Sequence, residues 1–146
     1  PDPRVGRGHD GRQRRWRALA DRLAVYRLIW DEQAKFDAAC ARGADDAAWD
    51  ALMTIHILAQ PYFGPHLSSH VAMLRFAFSQ RDWREVGGQM LRLALVPLGN
   101  ATGRLPVGNH GRARVSPFKP MRISADLQAR LSAAADALPN NSNAGS

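Results

Sequence analysis

One uncharged stretch decides the fold of this chain: residues 51–74, ALMTIHILAQPYFGPHLSSHVAML. Charged side chains make up 23% of the protein, yet none falls within this stretch, and so long a gap is typical of a buried segment. Pro61 and Pro65 flank a short aromatic turn in its middle. Because proline cannot continue a helical hydrogen-bond ladder, the stretch predicts two buried helices that form a hairpin over residues 51–78, the central element of the fold.

Towards the N-terminus, apolar residues recur at spacings of three and four, which is the pattern of one helical face. They are Trp16, Leu19, Leu23, Tyr26 and Trp30. The pattern predicts a first helix over about residues 13–42, with Gly43 as the left-handed residue that closes it. A second helix is predicted over about residues 47–60, with Asp45 or Asp46 as its N-cap.

Beyond the turn, a third helix is predicted over residues 65–79, because proline is tolerated in the first turn of a helix. The D-x-x-E sequence of residues 82–85 predicts a capping box that opens a fourth helix, and this helix is expected to end near Leu95, before Pro97. Gly87 and Gly88 inside it indicate close packing of another backbone, because glycine in a helix interior costs about 1 kcal/mol relative to alanine.

Residues 97–123 contain four prolines and four glycines and show no helical or strand period. We expect an ordered, extended strap here, because so long a structureless loop is uncommon in a compact domain. Apolar residues should anchor it: Leu105, Val107, Val115, Phe118 and Met121. Ser124 then caps a short C-terminal helix. The predicted fold is therefore all-α, a helical bundle of about four main helices with a long Pro/Gly-rich strap and a short last helix.

The same periodicity gives a set of core candidates. On the third helix, Leu67, Val71, Leu74 and Phe78 form one stripe, and His66, His70, Met73 and Ala77 form the adjoining one. The expected core residues are Trp30, Trp49, Leu52, Ile55, Val71, Leu74, Phe78, Trp83, Leu91 and Leu95.

A length of 146 residues suits one domain, which we place at residues 13–138. Residues 1–12 begin with proline and are expected to be disordered or vector-derived, and residues 139–146 are expected to form a disordered tail. No apolar stretch reaches the roughly 20 residues of a membrane helix, so no membrane association is expected. The single cysteine, Cys40, excludes an internal disulfide and fits a reducing compartment, which predicts a cytoplasmic protein.

Four sequence segments carry a resemblance to a known family: HILAQ at 56–60, WREV at 83–86, RLPVGN at 104–109 and VSPFKPM at 115–121. They resemble a family of small bacterial proteins that is labelled only as a domain of unknown function, over roughly residues 20–130. The resemblance implies an acidic residue three positions before His56, which would give E-x-x-H. Met53 stands there in this chain, and this argues against a carboxylate-bridged di-iron site.

Three of the five histidines lie in the uncharged hairpin: His56, His66 and His70. His66 and His70 are four residues apart and share a helix face, and His56 and His70 lie at about the same level of an antiparallel hairpin with a five-residue turn. Helix axes about 8–10 Å apart let such imidazoles reach one point. Neutral imidazoles suit a borderline metal with an open position. The sequence therefore predicts one transition metal ion, zinc or iron, bound by these three side chains.

Other interpretations of the histidines stay open. They could be hydrogen-bonded core residues, with Ser68 or Ser69 as partners, or they could contact a ligand without a metal. A fourth metal ligand could come from Glu32, Asp37 or Cys40 only if the first helix packs on the hairpin. Haem could use two axial histidines, but the chain has no C-x-x-C-H attachment sequence. With no nucleophile elbow and no P-loop, the sequence does not decide whether the protein is an enzyme.

The net charge of +7 suggests an alternative function. Residues 104–122 carry five basic side chains and no acidic one: Arg104, Arg112, Arg114, Lys119 and Arg122. They predict a non-catalytic interaction or regulatory module that docks on an acidic protein partner, unless these charges pair within the fold. Nucleic acid is a less favoured partner, because Phe118 is the one aromatic residue among them and single-strand binding uses several. The sequence does not indicate an oligomeric state.

Overall fold

The structure is a computed structural model that describes residues 5–102, 108–116, 119 and 121–137. These residues form five α-helices and no strand. The helices are α1 (Val5–Ala41), α2 (Asp45–Ala59), α3 (Phe63–Ser79), α4 (Trp83–Thr102) and α5 (Ala125–Asp136). The predicted all-α class, with four main helices and a short C-terminal one, is confirmed. None of the helices in the described part of the chain is both long enough and apolar enough to cross a bilayer.

The chain divides into two compact units. One consists of Pro1–Leu28 with Ser124–Ser146, and the buried apolar side chains among its described residues are Ala24, Leu28 and Leu127. The other is Ile29–Ile123, which contains α2, α3, α4 and the described part of the strap. The single domain expected over residues 13–138 stays a prediction. The expected C-terminal tail, residues 139–146, lies outside the described residues.

The first helix is longer than its apolar pattern predicted. α1 begins at Val5, well before the Gln13 expected from periodicity, and residues 1–4 lie outside the described part of the chain. Its first turns are rich in glycine and arginine and carry no apolar stripe, so no periodic pattern indicated a helix there. Its end is as predicted: Gly43 has φ 67°. The amide of Ala44 donates to the Ala39 carbonyl (2.9 Å), which completes a Schellman motif.

The two helices of the hairpin begin slightly earlier than expected. Ala44, not an aspartate, is the N-cap of α2, and Asp45 and Asp46 occupy its first turn, where their charges stabilise the positive end of the helix dipole. The third helix begins at Phe63, two residues before the expected Pro65. The connection is therefore tight, and α2 and α3 pack against each other as the predicted hairpin.

The fourth helix corrects two expectations. The Asp82 carboxylate accepts from the Glu85 amide (3.0 Å), as a capping box requires, but the Glu85 side chain bonds elsewhere. The predicted end near Leu95 is wrong, because α4 continues through Pro97 to Thr102. A proline removes a single hydrogen bond from the ladder, and here it lies near the end of a long helix. The strap therefore begins after α4 rather than at Pro97.

The core of the second unit is a cluster of α1, α2 and α3 side chains. Its buried members are Ala39, Ala48, Trp49, Leu52, Ile55, Met73, Phe76 and Ala77. Edge-to-face contacts join the Phe76 ring to the rings of Trp49 (5.0 Å between centroids) and Phe36 (5.4 Å). Such pairs add to the stabilisation from burial. This packing places the expected core residues Trp49, Leu52 and Ile55 inside.

Several other expected core residues lie on the surface. Trp30 is 75% exposed, and Val71, Phe78, Trp83 and Leu91 are exposed as well. On α3 the buried stripe is the adjoining one, with His66, His70, Met73 and Ala77, rather than the stripe of Val71 and Phe78. Both stripes satisfy a 3.6-residue period, so periodicity gives the helix but not the face that turns inward.

Candidate metal centre

The three histidines of the hairpin converge. Ring centroids are 4.5 Å apart for His56 and His70, 4.8 Å for His56 and His66, and 5.0 Å for His66 and His70. One ring nitrogen from each side chain lies within 4.8 Å of the other two. All three side chains are buried, with exposed fractions of 2–4%. The arrangement expected from the hairpin is therefore present: α2 contributes one ring, and α3 contributes two rings that lie one turn apart.

A serine fixes the tautomer of His56. The Ser69 hydroxyl donates its proton to the His66 carbonyl (2.7 Å), so it can only accept at the 2.9 Å contact with His56 Nδ1. His56 therefore carries its proton on Nδ1. In the neutral ring, Nε2 is then left with a free lone pair, which is the form that ligates a metal.

A glutamine fixes the tautomer of His70 in the same way. The Gln89 amide nitrogen donates to the carbonyl of Gly111 (2.8 Å) and to the Glu85 carboxylate (2.8 Å). The Gly111 carbonyl can only accept, which determines the orientation of the Gln89 amide. Its oxygen must therefore face His70 Nδ1, at 2.7 Å, and accept a proton from it. His70 then presents an unprotonated Nε2, and Gln89 is the kind of hydrogen-bond partner that orients metal-binding histidines.

The third ring has an unsatisfied nitrogen. His66 Nδ1 is buried and has no hydrogen-bond partner among the described residues. Buried polar atoms are nearly always paired, and an unpaired one costs about 1–3 kcal/mol. The imidazole lies near the start of α3, where the His66 amide donates to the Tyr62 carbonyl (2.9 Å). A ligand between the three rings would remove the cost of this unpaired atom.

Burial keeps the triad neutral. The pKa of His70 is lowered from 6.5 to about 4, mainly by desolvation, with smaller contributions from His66 and Arg92 and against the opposing effect of the Gln89 hydrogen bond. Desolvation also lowers the pKa of His56 well below 6.5, with added repulsion from the neighbouring histidines and Arg92. Burial lowers the pKa of His66 too. At neutral pH all three imidazoles are therefore uncharged, the state that binds a metal ion.

The strap packs on the triad through glycine backbone. A Cβ atom built on Gly111 would lie 2.8 Å from His56 Cδ2 and 3.0 Å from His56 Nε2, and Gly111 has φ 79°. On α4, a Cβ atom at Gly88 would lie 2.3 Å from Ala113 Cβ, whereas one at Gly87 would meet nothing within 4 Å. The close backbone approach expected at the glycine pair therefore occurs at Gly88 alone, and it brings the strap against α4.

Polar side chains fasten the described part of the strap. At the end of α2, the Gln60 side chain accepts from the Gly108 amide (2.8 Å) and donates to the Asn109 carbonyl (2.9 Å). The buried Asn109 side chain donates to the carbonyls of Ser116 (2.9 Å) and Lys119 (2.8 Å). These residues belong to the segments that carry the family resemblance. Val115 and Met121 are only half-buried, and the other expected anchors lie outside the described residues.

The fourth helix contributes a charged layer next to the glutamine. The buried Glu85 carboxylate accepts from the Ala113 amide (2.9 Å) and from Arg112 Nε (3.2 Å). The Arg112 guanidinium also lies over the Trp49 ring, 3.7 Å from its centroid, in cation–π geometry. Arg92, 5% exposed, donates to the carbonyls of Gly88 and Arg112. This layer holds Gln89, and through it the ring of His70, in place.

The other predicted site residues are dispersed. Of the basic strap residues, Arg112 forms an ion pair with Glu85 inside the fold, whereas Arg114, Lys119 and Arg122 are exposed. Arg104 lies outside the described residues. Glu32, Asp37 and Cys40 do not join the three histidines, so the first helix supplies no fourth ligand to the group that the structure describes.

A family model described as a protein of unknown function, DUF3703, matches residues 24–131. This range includes every residue of the candidate metal centre. The chain belongs to the DUF3703 family. No match was found among curated proteins or among solved structures. Membership in DUF3703 confirms the resemblance drawn from the sequence, and the chemistry of the site has to be argued from its own residues.

Sequence reasoning missed the α4 residues that support the site. Glu85, Gln89 and Arg92 are spaced four and three apart, and all three are buried. Such a polar stripe on an amphipathic helix normally faces solvent. The usable signal was its position: the stripe also contains Gly88, which already indicated that another backbone packs there. Where another backbone packs against a helix glycine, polar side chains on the same face of that helix can form hydrogen bonds with it and so be buried.

Proposed function

We propose that this DUF3703 protein binds one transition metal ion through His56, His66 and His70. The observation that carries the proposal is the hydrogen-bond network that leaves both His56 and His70 with an unprotonated Nε2, beside the unpaired Nδ1 of His66. One ring nitrogen of each histidine lies within 4.8 Å of the other two, and the buried Nδ1 of His66 has no donor among the described residues. A metal cation between the three rings would accept a lone pair from each of them.

Hydrogen-bonded core histidines are a poorer account of this arrangement. Such histidines have both ring nitrogens paired or reach solvent with one. Here the three rings are 2–4% exposed, and the Ser69 and Gln89 partners use only the Nδ1 side of two of them. The partners therefore orient two of the rings and leave each Nε2 free to bind a ligand, as the hydrogen-bond partners of metal-binding histidines do, and the buried Nδ1 of His66 has no partner among the described residues.

Zinc suits this ligand set better than iron. Zn²⁺ accepts three imidazoles with one open position, whereas mononuclear non-haem iron sites commonly add a carboxylate to two histidines. No carboxylate joins the group among the described residues, and Met53 occupies the position three before His56. When bound, zinc would act as a Lewis acid or as a structural cross-link between α2 and α3, and the protein's own residues hold and orient its ligands.

Metal analysis tests the proposal. The full chain, purified without a polyhistidine tag or a nickel column, should contain about one equivalent of zinc or another transition metal. The variant His70→Ala should lose the metal while it keeps its helical circular dichroism, and His110→Ala, at a half-buried position outside the triad, should retain it. A folded wild-type protein that neither contains metal nor binds added Zn²⁺ would refute the proposal.

A second candidate function uses the exposed basic side chains Arg114, Lys119 and Arg122. We propose, as the alternative, that they dock an acidic protein partner by a non-catalytic contact. Polyglutamate is a suitable probe, and its binding should weaken with salt and in the double variant Arg114→Ala/Arg122→Ala. Unchanged binding in this variant would exclude the surface. His70→Ala should leave this binding intact, which separates the two functions.

A further inference from the structure

The immediate surroundings of the histidine triad hold no negative charge. Its ligand atoms are neutral imidazole nitrogens, and their hydrogen-bond partners, Ser69 and Gln89, are neutral as well. The nearest carboxylate in this network, Glu85, is one residue further out and is already paired with Arg112 at 3.2 Å. Among the described residues, therefore, no thiolate or carboxylate is available to offset the charge of a divalent ion at the triad.

A buried cation increases this imbalance. Arg92 is 5% exposed, and its guanidinium donates to the backbone carbonyls of Gly88 (3.3 Å), Arg112 (2.6 Å) and Val115. These partners are neutral, and no carboxylate lies within ion-pair distance of Arg92 among the described residues. Arg92 lies on α4, three residues beyond Gln89, the hydrogen-bond partner of His70. The layer of Glu85, Arg112 and Arg92 thus carries one net positive charge before any metal arrives.

A divalent ion would add to this charge in a site shielded from water. Unpaired charges in such surroundings are costly unless an opposite charge lies close by. A zinc ion with three imidazoles retains an open coordination position. An anion bound there lies as close to the ion as possible and so offsets its charge most strongly. We propose that the metal ion held by His56, His66 and His70 takes a small monovalent anion as its fourth ligand. This inference rests on the metal-binding function proposed above.

The strap limits the size of that anion. The Gly111 backbone packs so closely on His56 that a single added carbon would approach the ring to within 2.8 Å. The three rings are almost completely shielded from solvent. We therefore expect a halide or a linear triatomic ion such as azide to enter more readily than a tetrahedral oxyanion such as sulfate. Sulfate is accordingly the anion that keeps the ionic strength constant in the test.

Cobalt-loaded protein provides the test, since Co²⁺ replaces Zn²⁺ and its visible spectrum reports coordination. The full chain is loaded with Co²⁺ in a chloride-free sulfate buffer and titrated with azide. We expect a saturable change in the cobalt bands with one azide per metal, and no change with added sulfate. A cobalt spectrum that does not respond to azide would overturn the anion proposal and leave the metal site intact. Failure to bind cobalt or zinc at all would instead overturn the metal site itself.

Two variants test whether the buried positive charge of Arg92 favours anion binding. Arg92→Met removes the buried charge, and we expect azide to bind about tenfold more weakly to its cobalt form. Arg84→Met, at an exposed position of the same helix, should leave azide binding unchanged. Should Arg92→Met fail to fold, the wild-type titration still decides the proposal. His110→Ala tests the competing occupant: a wild type that does not respond to azide, together with a variant that does, would mean that His110 takes the fourth position, and the anion proposal would be wrong.

Discussion

Acidification should destabilise the metal-free protein, because the buried histidines must stay neutral in the folded state. His70 has a pKa of about 4 in the fold, where desolvation is the main cause, against 6.5 for the free side chain. Between these two values the unfolded chain binds more protons than the folded protein. The contribution of the neutral His70 side chain to the free energy of unfolding is therefore fully present above pH 6.5 and is lost as the pH falls towards 4.

The magnitude follows from the pKa difference. One pH unit corresponds to about 1.4 kcal/mol, so His70 alone accounts for about 3 kcal/mol once the pH is below 4, of which about 2.5 kcal/mol is already lost at pH 4.5. The pKa values of His56 and His66 are lowered as well and act in the same direction. A loss of this size is large compared with the roughly 5–15 kcal/mol that stabilises most domains.

Urea unfolding, followed by circular dichroism in the presence of a chelator, measures this loss at about pH 7.5 and pH 4.5. The matched variant is His70→Gln, whose amide can still donate to Gln89 but does not titrate. The free energy of unfolding of this variant should fall by about 2.5 kcal/mol less than that of the wild type over the same interval. The carboxylates titrate in both proteins and cancel in the comparison. Equal losses in the two proteins would show that His70 is not held neutral by burial, and the reasoning would fail.

Three further outcomes are expected. Gly88→Ala should destabilise the protein by about 1 kcal/mol or more, because the new Cβ would collide with Ala113. Gly87→Ala, whose Cβ would meet no atom within 4 Å, should stabilise it by about 0.5–1 kcal/mol. Urea unfolding of both variants distinguishes these opposite signs. Ser69→Ala should weaken zinc binding about tenfold or more by releasing the His56 ring, while Ser68→Ala, at an exposed position, should not; competition with a zinc-sensitive dye measures both. Removal of the metal by a chelator should lower the melting temperature, since an ion present at about 100 times its dissociation constant contributes about 2.7 kcal/mol; an unchanged melting temperature would contradict a metal that binds the folded state.

Most of the helical framework could be predicted from local sequence. The uncharged stretch over residues 51–74 and its proline turn predicted the α2–α3 hairpin, and Gly43 predicted the end of α1. Hairpin geometry also brought His56 and His70 to one level, where their rings are 4.5 Å apart. These predictions succeeded because they depend on helical spacing, on proline and on glycine conformation, which act over a few neighbouring residues.

The inward face of each helix could not be predicted in this way. Val71 and Phe78 are the more apolar stripe of α3 and yet lie exposed, whereas His66, His70 and Met73 are buried. Burial of the polar stripe is favourable only because partners elsewhere in the chain satisfy it, such as Gln89 on α4. A periodic pattern gives the spacing of a stripe, but the surface that covers it depends on the other helices.

The sequence by itself determined an all-α chain, the central hairpin and the three histidines that meet within it, since these depend on local periodicity and on turn residues. Only the tertiary structure decided how those histidines are held. The strap is bonded to α2 through Gln60 and to α4 through Gln89, and its Gly111 carbonyl sets the tautomer of His70 by fixing the Gln89 amide. Such bonds join residues far apart in the chain, and they form because buried polar groups must find partners once packing has excluded water.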